Sequence, residues 1–364
     1  MNDHKLRVYD DTGALQAEIT NFTSLSVTRV ADAPGMMMVG VSGVHSILDS
    51  IGNQWQLEYW RKPKGEGWAR EFVGLYKDVE WAYFDLPTAL LLCPGLLSML
   101  QSRIIAWPEF VTDRSIFSAT VAETVMKTLV DYNAGPNATV ANGRLREGAI
   151  TGLSVAKSTG AGNSLSLECA GNNLLSTLQA MAPAAGGDFD LVKTSSTTWE
   201  FRWYTGQLGT DRTATVVFAL PRGNMADPIY KEMRSKEKTV AVAYGRGHGY
   251  AQETSVQTGA GYSLAVNDTE IMVQAYNTDT TARLDMAAIE AVNRLEFKPQ
   301  FSFKTVETPA TRYGVHFFLG DLVTAINPFT GAEAYYKVKQ VTISLNKAGE
   351  ENVDVVFEWV QDAP

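Results

Sequence analysis

Two acidic patterns in the sequence match carboxylate motifs of hydrolases. Asp11-Thr12-Gly13 matches the triplet of aspartic proteases, whose chemistry needs two such carboxylates that share one proton. No second Asp-Thr-Gly or Asp-Ser-Gly exists in the chain, so a polar hairpin turn explains the triplet better. Asp188 and Asp190 could be paired glycosidase carboxylates. In GGDFDLV, however, we expect them to flank a strand on its solvent face.

The other patterns that could carry chemistry are incomplete. The segment 245–249 (GRGHG) is similar to a phosphate-binding loop, but such a loop opens a helix and the residues that follow lack a helical period. We expect a flexible hairpin or surface loop. The serine-hydrolase elbow G-x-S-x-G is absent. No zinc-binding pattern such as H-E-x-x-H joins the four histidines, which are His4, His45, His248 and His316. The prediction is therefore no catalytic residues, no metal site, no cofactor and no enzyme activity.

The charge balance also disfavours a DNA-binding enzyme. The net charge is −9 and the sequence pI is about 5.1, whereas affinity for the phosphate backbone comes mostly from Lys and Arg. An acidic surface would suit nucleic acid that passes without binding. Segment 231–238 (KEMRSKEK) mixes signs and predicts a solvated or interface loop. The acids near the end fit either ordinary solubility or the negative inner wall of a channel; they are Glu350, Glu351, Asp354, Glu358 and Asp362.

The cysteines and the apolar runs indicate a protein made in a cytosol without a membrane segment. Cys93 and Cys169 lie in apolar runs, where a free thiol behaves as a small core residue. The beginning, MNDHKLRVYDD, has no apolar core of a signal peptide. The apolar stretch around 89–92 is interrupted by Pro94 and Gly95, far short of the ~20 residues that span a bilayer.

The elements that must position these residues are mostly strands. LRVYDDTGALQAEI predicts a hairpin, and WQLEYWRKP with WAREFVGLYKDVEWAYF alternates apolar and polar residues around a turn at 64–67. Trp55, Leu57 and Tyr59 should share one face. Strands return in TVVFAL and TVAVAYG, and again in FSFKTVE, GDLVTAI, AYYKVKQVTISL and VDVVFEWV. This texture predicts small antiparallel barrels or sandwiches.

Three segments have helical spacing instead. Segment 118–132 carries Val121, Val125 and Leu129 on one face. Segment 171–182 should begin at an N-cap, Asn172 or Asn173, and stop at Pro183. Segment 281–295 has an apolar side and should be closed by Lys298 and Pro299; that side consists of Leu284, Ala288, Ile289 and Val292.

The order of these elements predicts an α+β, mostly β chain of four parts. They are a first β-barrel domain (1–105), an α+β insertion (106–214), a connecting domain of strands, loops and a helix (215–299), and a second β-barrel domain (300–364).

A series of segments between about 85 and 345 is more specific as an ordered set than any member alone. It consists of LLLCPGLLSMLQSRII, AETVMKTLVDYN, SLSLECAGNNLLSTLQAMA with GGDFDLV, FRWYTGQLGTDRT, FALPRGNMADPIY and FLGDLVTAI. The series resembles the siphophage tail hub family, also called tail-associated or baseplate hub proteins.

The resemblance implies a structural protein of the virion tail tip. Two β-barrels per subunit would alternate with inserted domains, and a homotrimer would form a pseudo-sixfold ring under the tail tube. The implied partners are the distal tail protein ring, the C-terminus of the tape-measure protein and tail-tip or fibre proteins, with DNA only in passage through the lumen. Gly320 with Asp321, and Gly209 through Arg212, would have structural roles at the starts of strands.

Two other functions stay open at this point. A tail-tip adhesin that binds a receptor or carbohydrate could use tryptophans as stacking platforms, although core or interface use is the commoner role. The eight are Trp55, Trp60, Trp68, Trp81, Trp107, Trp199, Trp203 and Trp359. A cell-wall hydrolase is disfavoured because no acid, base, nucleophile or metal set is recognisable.

Overall fold

The computed structural model of the chain describes residues 2–83, 85–106, 115–169, 171–275, 281–297, 300–346 and 349–360. Within them the fold is mostly β, as predicted. The helices are α1 (Ser98–Gln101), α2 (Ala122–Asn133), α3 (Leu174–Ala185) and α4 (Thr281–Leu295). The strands are β1 (Asp3–Tyr9), β2 (Leu15–Ile19), β3 (Ser24–Val30), β4 (Ala33–Ser42), β5 (Gln56–Lys62), β6 (Ala69–Leu75), β7 (Asp78–Tyr83), β8 (Pro87–Pro94), β9 (Ser115–Val121), β10 (Leu153–Val155), β11 (Ser164–Cys169), β12 (Gly187–Lys193), β13 (Trp199–Thr205), β14 (Val217–Phe218), β15 (Met225–Lys231), β16 (Val240–Tyr244), β17 (Thr254–Thr258), β18 (Glu270–Gln274), β19 (Gln300–Thr305), β20 (Leu322–Ile326), β21 (Glu333–Leu345) and β22 (Glu351–Val360).

The described chain divides into two compact units. The larger contains Met1–Ala226, Lys304–Ile326 and Ala332–Pro364, and the smaller contains Asp227–Phe303 and Asn327–Gly331. The four predicted ranges, 1–105, 106–214, 215–299 and 300–364, stay a prediction as domains. What the structure shows is that strands of the first and last ranges lie in one sheet.

That sheet is the frame of the larger unit. Its order is β14-β20-β21-β3-β4-β8-β7, with β22 on the other side of β21. The long β21 therefore pairs with three strands: β22 along its length, β20 at its first residues and β3 at its last. Ile343 lies opposite Val27, and Val27 lies opposite Met37. Because these three side chains are fully buried, this register places one apolar face of the sheet in the core.

A four-stranded antiparallel sheet, β2-β1-β5-β6, completes the N-terminal part of this unit. Leu57 and Tyr59 alternate on its buried face, as predicted from the period of two. The predicted hairpin of β1 and β2 is confirmed, with Leu6 opposite Ile19. A bridge between Gly74 and Gly95 joins β6 to the end of β8 and links the two sheets.

The inserted part of the larger unit has its own core. β9 pairs with β11, and β12 and β10 flank β13. Helices α2 and α3 pack on these strands around a cluster of buried apolar side chains that includes Val125, Leu129, Leu178, Phe189 and Phe201. Each such side chain contributes about 1.5–3 kcal/mol through burial.

Two of the helix predictions need correction. The helix expected at 118–132 begins only at Ala122, because 118–121 continue β9 and pair with β11. The helix expected at 171–182 has Asn173 as its N-cap, as predicted, but Pro183 does not stop it. A proline removes only one N–H from the ladder, and α3 ends at Gly186, whose left-handed φ of 71° breaks the helix.

The smaller unit is a three-stranded sheet, β17-β16-β18, covered by α4. The helix spans the predicted residues 281–295. Leu284, Ala288 and Val292 pack against Ala241 and Ala243 of β16, while the predicted apolar residue Ile289 is exposed. Lys298 and Pro299 lie outside the described residues. β15 and β19 form a separate two-stranded sheet.

Candidate functional site

Two segments that the sequence analysis singled out lie against each other in the larger unit. The Gly209 amide donates a hydrogen bond to the Gly320 carbonyl (3.2 Å), although 111 residues separate them in sequence. Gly320 has a φ of 85°, and a Cβ there would lie 2.7 Å from the Gly209 nitrogen. Both the conformation and the close approach therefore require glycine.

The Asp321 carboxylate fixes this contact and is almost fully buried. Oδ1 accepts from the Thr210 amide (2.7 Å), and Oδ2 accepts from the Phe318 amide (2.8 Å) and from Nε of Arg212 (2.6 Å). The Arg212 guanidinium also lies over the Phe318 ring. Because β20 begins at the next residue, Asp321 ties the end of the insertion to the start of that strand.

The prediction that Asp188 and Asp190 lie on a solvent face is wrong for Asp188, and Asp190 is half-buried. Asp188 is 2% exposed; it accepts from Nζ of Lys337 on β21 and from the Leu208 amide. The reason is that β12 is covered on both sides. Phe189 enters the insertion core, while Asp188, pointing to the opposite side, meets a lysine of the large sheet.

A second carboxylate of this kind is Asp32, in the tight turn between β3 and β4. It has a left-handed φ of 62°; Oδ1 accepts from the Phe189 amide (2.8 Å) and Oδ2 pairs with Nζ of Lys339 (3.2 Å). Burial, and next the charge of Asp188, raise the pKa of Asp32 to about 6. Burial likewise raises the pKa of Asp190 to about 6.

Two further buried ion pairs connect β5 to distant parts of the chain. Glu58 pairs with Lys193 of β12 and with Arg70 of β6, each at 3.0 Å. The fully buried Arg61 makes a two-pronged pair with Glu351 of β22, Nη2 to Oε1 at 2.6 Å and Nε to Oε2 at 2.8 Å. Glu351, one of the five acids near the end of the sequence, is therefore neutralised inside the protein.

These contacts give the site a structural role, because they hold separate segments of the chain together. All of these pairs except Glu58 with Arg70 join segments that lie far apart in sequence, and breaking one partner of a buried pair typically costs about 3–5 kcal/mol. A cavity of about 170 Å³ lies beside them, and its charged lining is balanced, with Arg29, Arg70 and Lys193 against Asp32, Glu71 and Asp190. The arrangement can hold the N-terminal sheet, the insertion and the C-terminal strands in one fixed geometry.

The other chemical motifs are scattered through turns, loops and cores. Asp10 accepts from Thr12 and Ala14, and Gly13 has a φ of 81°, so the triplet is a turn as predicted. Segment 245–249 leads into β17 and opens no α-helix. Cys93 and Cys169 are free and buried, and burial raises the pKa of Cys169 to about 11. Across the described ranges no group of three or more His, Cys, Asp or Glu could hold a metal.

The edges of the large sheet carry exposed apolar side chains. On β7 and just after it, Trp81 is 56% exposed, Tyr83 77% and Leu86 74%. Val356 of β22, on the opposite edge, is also exposed. An exposed edge strand with large apolar residues is a surface for pairing with another chain. Among the tryptophans within the described residues, only Trp68 and Trp81 are exposed.

Known phage proteins match this chain in sequence and in fold. The family model described as Siphovirus ReqiPepy6 Gp37-like protein matches residues 5–357. The chain belongs to this family. The resemblance to a tail-associated family of siphophages, drawn above from ordered segments, is thereby confirmed. A search of the curated proteins finds no match.

Solved phage tail structures share the fold over nearly the whole chain. The tail protein from Neisseria meningitidis MC58 has a TM-score of 0.59 at 12% identity, over 99% of this chain and 97% of that one. The 43 kDa tail protein of prophage MuSo2 from Shewanella oneidensis has 0.58 at 12%, over 97% and 98%. Prophage tail protein gp18 from Listeria monocytogenes EGD-e has 0.58 at 10%, over 97% and 94%. At these identities the likeness shows the fold alone.

The chain is thus a member of a siphovirus protein family and has a mostly β fold of the kind found in phage tail proteins. None of the helices within the described ranges is long and apolar enough to cross a bilayer. Its sheets are open in the strand order of the described residues, so no closed barrel is seen there.

Proposed function

We propose that this chain is the structural hub of a phage tail tip. Three copies form a pseudo-sixfold ring in which each chain contributes two barrel-like β bodies, so that three subunits match a sixfold tube. The ring joins the tail tube and distal tail ring to tail-tip or fibre proteins. It holds the C-terminus of the tape-measure protein and frames the channel through which DNA passes.

The observation that carries the proposal is the buried set of ion pairs around the large sheet. A hub transmits force between a tube above and fibres below, and its parts must keep one relative geometry. Arg61 with Glu351, Asp188 with Lys337 and Asp321 with Arg212 link segments separated by 290, 149 and 109 residues. The tail-protein fold and family membership support the same role.

Two edge strands of the large sheet support assembly into a ring. A surface patch that fits a different patch on the next copy generates a closed ring when the rotation closes. β7 and β22 lie at opposite ends of the sheet, and each carries exposed apolar residues. The net charge of −9 supports a lumen that repels DNA and so lets it pass.

The hub proposal includes no catalytic activity. The described carboxylates with unusual environments are engaged with lysines, arginines or backbone amides, which suits stapling better than turnover. The adhesin alternative is less favoured because only Trp68 and Trp81 of the described tryptophans are exposed and could stack on a sugar.

The decisive experiment is a cryo-EM map of the intact tail tip, reconstructed without imposed symmetry. We expect three copies of this chain in a ring around a central channel, directly under the tube. A single copy, or copies on a peripheral arm, would contradict the hub and turn attention to the adhesin.

An edge variant tests the ring contact separately. Trp81→Lys places a charge on the β7 edge and should abolish incorporation into tails while leaving the isolated chain folded. Val44→Lys is the matched control, because Val44 is 80% exposed in a loop outside the strands. Normal tails with Trp81→Lys would exclude the β7 edge as an interface.

A further inference from the structure

Three arginines of the larger unit form a cluster that has no acidic partner among the described residues, on a protein whose net charge is −9. Arg103 follows α1, and Arg144 and Arg146 lie in the loop between α2 and β10. Arg103 is half-buried, Arg144 is only 3% exposed and Arg146 is exposed. We call these three residues the arginine cluster.

Backbone carbonyls, and not acids, hold the arginine cluster in place. Arg103 Nε donates to the Gly148 carbonyl (3.1 Å), and Arg144 Nη1 donates to the Arg146 carbonyl (2.9 Å). The Arg144 guanidinium lies so close to Gly148 that a Cβ there would come within 2.5 Å of Cζ. Glu147, the neighbouring acid, accepts from the Val140 amide instead. In the described ranges no carboxylate forms an ion pair with any of the three guanidiniums.

The positive charges therefore act on one another. Burial lowers the pKa of Arg144, and the charges of Arg146 and Arg103 lower it further. Burial and the charge of Arg146 lower the pKa of Arg103. Nε of Arg144 is buried and has no hydrogen-bond partner among the described residues. A buried charged group that lacks one hydrogen-bond acceptor is destabilised, and a carboxylate near the arginine cluster would offset part of this through its charge.

The rim of the arginine cluster is aliphatic. Ile104 and Val140 are each 51% exposed and Leu145 is 58% exposed. The carbonyl of Ile104 accepts from Nη2 of Arg144, and Leu145 lies between two of the arginines in sequence, so the apolar and cationic groups share one patch. A patch of this composition fits a ligand that has both carboxylates and apolar side chains.

We propose that the arginine cluster, with Ile104, Val140 and Leu145, binds an acidic, apolar segment of a partner protein. The exposed guanidinium of Arg146 and the half-buried one of Arg103 would take the carboxylates, and the aliphatic rim would take the apolar side chains. Nucleic acid fits less well, because a phosphate backbone has no use for the aliphatic rim and meets a net charge of −9 elsewhere on the chain. The inference does not depend on the hub proposal.

The test uses the full chain and a short fluorescent peptide of alternating Glu and Leu. Fluorescence anisotropy should detect binding at about 50 mM NaCl that weakens several-fold at about 300 mM. The matched peptide of Gln and Leu should bind roughly tenfold more weakly. Arg146→Gln should weaken the acidic peptide roughly tenfold, and Leu145→Ser about threefold. Arg146 and Leu145 are exposed, so these variants leave the buried Arg144 and its loop intact.

Arg222→Gln is the matched control, an exposed arginine at a distant turn, and should leave the affinity unchanged. Equal binding of the two peptides, or an unchanged affinity with Arg146→Gln, would overturn the proposal. So would tighter binding of a DNA duplex of about 20 base pairs that Arg146→Gln abolishes.

Discussion

Replacing Asp321 tests the idea that buried charges staple the larger unit together. Asp321→Ala removes the acceptor of two backbone amides, Thr210 and Phe318, and the partner of Arg212. Each buried donor left without an acceptor costs about 1–3 kcal/mol. The Arg212 side chain is 31% exposed, so water recovers part of the loss on that side. We expect the free energy of unfolding to fall by about 4 kcal/mol, and by about 2 kcal/mol for Asp321→Asn, which keeps one acceptor oxygen.

Urea denaturation followed by tryptophan fluorescence measures this loss in the right part of the chain. All eight tryptophans lie in the ranges of the larger unit, so the signal reports that unit and not the smaller one. The slope of the transition must be the same in each variant for the comparison to hold. A double-mutant cycle with Arg212→Ala should give a coupling energy of about 1–2 kcal/mol.

The matched control is Asp211→Asn, a neighbouring but exposed carboxylate that caps only its own turn through Thr213. It should change stability by less than about 1 kcal/mol. If Asp321→Ala cost no more than this control, the buried contact between the two segments would not be a staple, and the mechanical interpretation of the site would fail.

Three other substitutions probe the same physics. The pKa of Asp190 is raised to about 6, so between about pH 4 and 6 the folded protein holds a proton on Asp190 that the unfolded chain has lost. The free energy of unfolding therefore falls as the pH rises through that window. Asp190→Asn should reduce this pH dependence and raise the free energy of unfolding at pH 7 by about 1–2 kcal/mol, as measured by urea titration. Burial opposes ionisation of Glu123, but hydrogen bonds from Lys127, Ala161 and Thr159 lower its pKa to about 2. The stability that the ionised Glu123 contributes is therefore present above about pH 4.5 and is lost as the pH falls towards 2. Glu123→Gln should remove this acid sensitivity and lower the free energy of unfolding by about 2 kcal/mol at pH 7. Gly320→Ala should lower the thermal midpoint more than the loop control Gly331→Ala, since both have positive φ but only Gly320 is crowded by backbone. Equal shifts for the two glycines would show that crowding contributes nothing.

Local patterns in the sequence were sufficient for most elements. The hairpin at Gly13 and most of the apolar stripe of α4 follow from short-range patterns, although Ile289 of that stripe is exposed and β5 is buried on both faces. The start of α2 was missed because residues 118–121 fit either a helix or a strand, and pairing with β11 decides in favour of the strand. Pro183 lies within α3, because a helix packed against the core tolerates one missing hydrogen bond.

The sequence predicts some residues of the candidate site but not the contacts between them. Gly320 and Asp321 stood out through turn chemistry, but their contact with 209–212 depends on how distant strands pair, which no local pattern specifies. Asp188 and Asp190 were read as solvent-facing because acids on strands usually are. The spacing of two between Lys337 and Lys339 places both lysines on one face of β21, where they pair with Asp188 and Asp32.

The pairing of β3 with β21 has a consequence for synthesis on the ribosome. Thr28 and Thr342, which share a hydrogen bond across these strands, are 314 residues apart. At about 5–20 residues per second, roughly 15–60 s pass between emergence of one strand and of its neighbour. During that interval β3 presents an unpaired edge of the kind that recruits other chains. We therefore expect nascent or truncated chains that lack β21 to need a chaperone, and a full-length chain to gain its assembly-competent shape only after its last long hairpin has been made.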